Sequence, residues 1–333
     1  MKNFKLKHTV LTFTAIGIAF ISLSWGIFGH EHINNSAVMA LPQPIQTFFY
    51  NHIDFITQEA TIPDLRKYTL RDKAEGPRHY MDVENFGALE SIPLQFDEAK
   101  KKYDDKFLND NGILPWYIQE TMTKLTKAMK DKRKTEILFL AADLAHYIGD
   151  ANMPLHTSAN HDGQLTNQKG LHSMFESRMP EMFGKDYNFY TGEVKYIDNV
   201  EKATWDMLKD SHSQVQPLLL TDKKLRDSYD PDKIFDKDEK GNIAKNKFGD
   251  MIYSKEYVTK LHTALNGMVE KQMRKAIVST ANFWYTAWVN AGKPNLEELD
   301  SKEMTNRNKK DLKNDLKLWK TGKLFGLESE NDF

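Results

Sequence analysis

In the stretch LAADLAHYIGDANMPLHT, residues 140–157, His146 and Asp150 stand four apart. On a helix that spacing stacks both side chains on one face, where an imidazole nitrogen and a carboxylate oxygen can share one metal ion. Pro154 then stops the helix and His156 follows from the turn. A second pair with the same spacing, His172 and Glu176, lies in GLHSMFESRMPE, residues 170–181. One such pair on its own reads more simply as a solvated helix face or a cap. Here Leu140, Ala141, Leu144 and Ala145 make the surroundings apolar, and burying an imidazole and a carboxylate there is costly unless they bind something. Two pairs and His156 within 31 residues therefore point to metal.

Upstream, IPDLRKY and GPRHYMDVENF contribute Asp64 and His79, fifteen apart. Trp25 and His30 of SWGIFGH complete an inventory of nine, enough for three metal ions. The chain has no cysteine, so any site uses nitrogen and oxygen ligands, a set that suits zinc. Asp82 and Asp143 are candidates to orient ligand histidines through the second ring nitrogen, although Asp82 reads equally well as a helix cap. His52, His161, His212 and His262 have no partner at metal spacing.

The elements that must position these residues are almost all helices. Apolar residues recur at three- and four-residue intervals, and alternating β-branched runs are scarce. The pattern predicts helices over 29–41, 44–58, 115–130, 133–150, 169–184, 198–213 and one long helix over 255–291, with prolines 42, 44, 115, 154 and 217 as punctuation. Residues 160–170 carry several turn formers and read as a connector, or as a rim loop able to touch substrate. After Pro294 the chain turns lysine- and asparagine-rich, with a weak stripe at Leu312, Leu316 and Trp319, and reads as a solvated, partly disordered tail over 293–333.

Lys2, Lys5 and Lys7, an apolar run from Thr9 to Ile21, and small Ser22 and Ser24 before Trp25 form the pattern of a secretory signal over 1–24. The run is shorter than the ~20 residues that cross a bilayer, and no second run of that length follows. The remaining chain is expected outside the cytoplasm, secreted or periplasmic, with no stable insertion in a membrane. Losing three lysines and no acids takes the formal charge from −1 to −4, which gives no electrostatic reason to expect a duplex nucleic-acid partner.

Together, WGIFGH, the Asp64 to His79 interval, HYIGDANMPLH and GLHSMFE resemble the superfamily of zinc-dependent phospholipases C and single-strand-specific nucleases of the S-one/P-one type. The resemblance implies an all-α, multi-helix fold around a three-zinc cleft, over residues 25–292. It also implies a role for each ligand. The α-amino nitrogen and carbonyl oxygen of a freed Trp25 would chelate one zinc together with His30, with His32 as the alternative ligand. Asp64, His79 and His146 would hold a second zinc, with Asp150 bridging the two. His156, His172 and Glu176 would hold the third. Signal cleavage would then complete the site, since an uncut chain carries an amide in place of the amine.

A zinc-bound water has a pKa of about 7, so hydroxide is available for in-line attack at phosphorus. Asp150 and Asp64 are the carboxylates implied in catalysis, Asp64 also as a general base. Glu176 resembles the phospholipase branch, whereas WGIFGH and the fifteen-residue interval resemble the nucleases. The phospholipase C-like reading comes first, with Phe28, Phe86 and Phe175 as an apolar wall for a phospholipid. A single-strand-specific nuclease or 3'-nucleotidase is the alternative, with the same rings stacking bases, and a non-catalytic exported metal-binding protein of the same fold is a second.

Overall fold

From Ile137 onward the segment ending at Ala151 is apolar on nearly every face, and a helix of that kind is stable only when surrounded. In the computed structural model, which describes residues 26–246, 251–302 and 304–323, the helix Lys134–Ala151 is the axis of an all-α fold. Around it pack Gly26–Ala40, Ile53–Glu59, Leu114–Lys130 and Met268–Asn290. Trp284 reaches this axis directly: its indole donates to the Ala141 carbonyl at 3.0 Å while its ring stacks on Phe49 at 5.0 Å. Burial of each such side chain contributes about 1.5–3 kcal/mol, so the axis is held rigidly where His146 and Asp150 project.

Observed and expected helices agree closely at Gly26–Ala40, Leu114–Lys130, Lys134–Ala151 and Val200–His212. Two expectations need correction. The long helix expected over 255–291 is two, Lys255–Ala264 and Met268–Asn290, because Asn266 and Gly267 both take positive φ, +50° and +77°. That left-handed pair caps one helix and turns the chain into the next. The segment 44–58 likewise divides at His52 into Ile45–Asn51 and Ile53–Glu59. The shorter helices Ile62–Tyr68 and Val215–Ser228 were not anticipated.

The tail differs most from expectation. Asn306–Lys320 is a helix whose buried face carries Asn308, Leu312 and Trp319. Trp319 donates its indole N–H to the Phe189 carbonyl at 3.0 Å, and Tyr50 donates its hydroxyl to Asp315 at 2.7 Å. Ahead of that helix Asp300 accepts from Asn51 at 2.9 Å and meets His52 at 2.7 Å. The described residues of 293–323 thus dock on the bundle. The signal reading over 1–24, and Trp25, lie outside the described residues, as do residues 324–333.

Among the described residues there is no strand, only isolated antiparallel bridges such as Phe235 to Tyr253 in the irregular segment after Ser228. No helix among them is long and apolar enough to cross a membrane.

Candidate metal centre

Six elements bring the candidate ligands together. His30 comes from the first helix, Asp64 from Ile62–Tyr68, and His79 from a short 3-10 turn, Gly76–His79. His146 and Asp150 come from the axial helix, one turn apart. His156 follows from the turn that Pro154 starts, while His172 and Glu176 share a helical segment that widens into one π-helical turn at Met174–Arg178. Such turns recur at functional sites because they re-aim a side chain.

Three trios result, His30 with Asp64 and His146, His79 with His146 and Asp150, and His156 with His172 and Glu176. Within each trio the ligand atoms lie within 4.8 Å of one another. Asp150 is at the centre: Oδ2 lies 2.9 Å from His79 Nδ1 and 3.3 Å from His146 Nε2, and Oδ1 lies 3.6 Å from His30 Nε2. His79 Nδ1 is 3.6 Å from Asp64. In the other group Glu176 Oε2 lies 3.4 Å from His156 and 3.1 Å from His172.

The ring orientations suit cation binding. His146, His156 and His172 each place Nδ1 on a backbone carbonyl, of Ala60 at 2.7 Å, His79 at 2.5 Å and His161 at 2.7 Å. Nδ1–H donating to these carbonyls leaves the Nε2 lone pairs turned inward. His79 is reversed, with Nδ1 inward and Nε2 facing Glu75 at 3.4 Å.

The donor set fits a cation on a further ground. Both ring nitrogens of His30 and both carboxylate oxygens of Asp64 are buried without a hydrogen-bond partner. Each buried polar atom left so costs about 1–3 kcal/mol, a cost that a bound cation removes. Burial and the neighbouring His146 charge push the His30 imidazole well below its ordinary value, so it is a neutral donor. Burial opposes the charge on Glu176, but His172 and His156 hold its carboxyl at about 2. Burial likewise raises Asp64, although His146 and His79 oppose it.

His32 is not placed as a ligand. Its Nδ1 meets the Phe28 carbonyl at 2.7 Å and its ring stacks on Phe28 at 4.0 Å, about 200° around the helix from His30. Asp143 pairs with Arg66 at 2.8 Å, not with a ligand histidine. Asp82 precedes the turn Val83–Phe86 without capping it through its side chain, and burial together with Glu84 raises it to about 6. The imidazole of the candidate ligand His79 faces Glu75, which is fully buried and bonded to Arg66, Arg78 and Tyr147. Burial opposes its charge, but His79, Tyr147 and Arg66 hold its carboxyl at about 2. The same four-residue spacing that marks the ligand pairs, applied to Glu75 and His79, identifies it.

His156, His172 and Glu176 open onto a cleft of about 770 Å³. Its walls include Tyr68, Tyr80, Asp82, Lys67, Lys169 and Lys245. The segment 160–170 forms part of the rim through His161, Asp162, Lys169 and Gly170. Asp162 accepts from the Gly170 and His172 amides, tying the rim to a candidate ligand. The phenylalanines expected as an apolar wall do not line it. Phe175 and Phe86 are buried in the core, and Phe28 packs against His32 and Gly184.

The fold and the site thus define an all-helical protein whose buried histidine and carboxylate clusters, beside an open cleft, are able to hold metal. The chain belongs to the S1/P1 nuclease family, whose model matches residues 25–282. Among solved structures, the alpha toxin from Clostridium absonum aligns with a TM-score of 0.45 and 14% identity, over 81% of this chain and 66% of that one. The chain thus spans just under two thirds of the toxin's length. No curated protein matches.

Proposed function

We propose that this chain is an exported, zinc-dependent phosphodiesterase that cleaves single-stranded nucleic acid, with three zinc ions held by Trp25, His30, Asp64, His79, His146, Asp150, His156, His172 and Glu176. The observation that carries the substrate is the cleft beside the His156, His172 and Glu176 trio, where two tyrosines and three lysines stand together. Aromatic faces stack on bases, and lysines follow the phosphates between them. Family membership points the same way. The three phenylalanines expected to meet either a phospholipid or stacked bases serve elsewhere, which leaves Tyr68 and Tyr80 as the aromatic faces of the cleft. Glu176, the absence of cysteine and the lack of net positive charge remain the arguments for a phospholipase.

Bound zinc would supply a Lewis acid and an acidified water at neutral pH. Asp150, whose Oδ1 faces His30 and whose Oδ2 faces His79 and His146, would help to hold the metal on both sides. Asp64, buried and without a hydrogen-bond partner, would complete the second donor set. Lys67, whose ammonium sits 4.8 Å from the Tyr68 ring centre, would meet a phosphate entering beside it. Burial opposes its charge, but Tyr68 and Asp64 hold it above the ordinary lysine value.

The test is a parallel assay of mature protein on single-stranded DNA, RNA, duplex DNA and phosphatidylcholine, with and without chelator. Zinc-restored hydrolysis of single strands over duplex supports the proposal. Cleavage of phosphatidylcholine alone restores the phospholipase reading, and no turnover in zinc-loaded protein leaves a metal-binding protein.

A further inference from the structure

The helix Asn306–Lys320 lies beyond the part of the chain that the family model matches. It carries six basic and two acidic side chains, a local excess of four in a chain of net charge −1. Helix geometry sorts them. At 100° per residue, Lys310, Lys313, Lys317 and Lys320 fall within about 80° of arc and along about 15 Å of axis. All four are exposed, and the opposite face is the one that buries Leu312 and Trp319.

Other surface helices of this protein neutralise lysines with acids three or four residues away, as in Lys106–Asp110, Lys124–Glu120, Lys127–Asp131, Lys202–Asp206 and Lys223–Asp227. Here both acids are engaged elsewhere. Asp315 accepts from Tyr50, and Asp311 pairs with Arg307 at 3.6 Å. Neither forms an ion pair with Lys310, Lys313, Lys317 or Lys320. The result is a cationic stripe, held in place by the Trp319 and Tyr50 contacts.

We propose that this stripe is an accessory docking surface for the phosphate backbone of a single-stranded nucleic acid, separate from the catalytic cleft. The choice of occupant rests on the nucleic-acid reading of the cleft. Lysines spaced 4.5–6 Å along the axis, by about 1.5 Å per residue, match a strand of closely spaced negative charges. Such a surface would bind long strands and leave the chemical step alone.

The test compares the zinc-loaded mature chain with the variant K310Q/K313Q/K317Q/K320Q, its fold checked by circular dichroism. A fluorescent phosphorothioate thirty-mer of thymidine, resistant to cleavage, is titrated at several salt concentrations. At about 0.7 per phosphate contact, the variant should lose about 3 from the slope of log K against log salt. KM for long single strands should rise about tenfold, with kcat on bis(4-nitrophenyl) phosphate unchanged. An unaltered slope and KM overturn the proposal. So does stripe-dependent sedimentation with vesicles of phosphatidylcholine and 30% phosphatidylglycerol when the oligonucleotide slope is unaltered. Absence of nucleic-acid hydrolysis in the wild type overturns the reading of the cleft, while the titration still decides the stripe.

Discussion

His79 Nδ1 lies 2.9 Å from Asp150 Oδ2, deep in the bundle, where neither side chain reaches solvent. Burial disfavours the Asp150 carboxylate, yet His146 and His156, with hydrogen bonds from His146 and His79, hold its carboxyl well below the usual range. One carboxylate thereby organises imidazoles from three separate segments. Asp150→Asn should therefore lower kcat/KM at least about a hundredfold on every substrate, beyond the loss typical of an outer partner. Bound zinc, measured by elemental analysis of the same folded sample, should fall as well. Near-normal turnover with full metal content would remove Asp150 from the site.

Glu75 acts through His79. It is fully buried, faces the outer nitrogen of that ring at 3.4 Å, and is itself fixed by Arg66, Arg78 and Tyr147. Outer partners of this kind set ligand orientation and basicity. Glu75→Gln should weaken zinc binding about 10–100-fold by competition with a chromogenic chelator, with kcat largely restored at saturating zinc. If kcat stays low at saturating zinc with affinity unchanged, Glu75 has a different role.

Much of the site was legible because its strongest signals are local. His146 with Asp150 and His172 with Glu176 are four-residue pairs, and apolar neighbours flagged the first as buried. What escaped depends on distant contacts. Tyr68, Tyr80 and Lys245 meet at the cleft only through the tertiary fold, and nothing in their own segments marks them. The tail was read from its charges, although Leu312 and Trp319 find a surface made by residues such as Phe189 and Tyr50. The break at Asn266–Gly267 was readable as a turn signal, but the apolar periodicity on either side outweighed it.

Trp25 supplies the third prediction. If its amine is a ligand, the mature amino terminus must begin there. Protein carrying one additional residue before Trp25 should bind one zinc fewer per chain than protein cleaved at Ser24, and its activity should fall at least about tenfold, the low end for a disturbed metal environment. The comparison is made by elemental analysis and kcat on a small phosphodiester. Equal zinc content in the two forms would return the first ion to side chains alone.

The last prediction concerns the docked tail. Asp300 is held by Asn51, His52 and Lys134, at 2.9, 2.7 and 2.8 Å. Burial opposes its charge, but those donors bring its carboxyl to about 2, below the ~3.9 of an unfolded aspartate. A carboxyl lowered in the folded state contributes stability that is complete above the unfolded value and is lost as pH falls toward the folded one. Asp300→Asn should therefore cost about 1–2 kcal/mol at pH 7, allowing for solvent screening, with that deficit shrinking between about pH 4 and pH 2. Urea unfolding followed by tryptophan fluorescence, which includes the docked Trp319, reads both quantities. A deficit independent of pH across that window would mean that shape, not charge, is what Asp300 contributes to holding the tail.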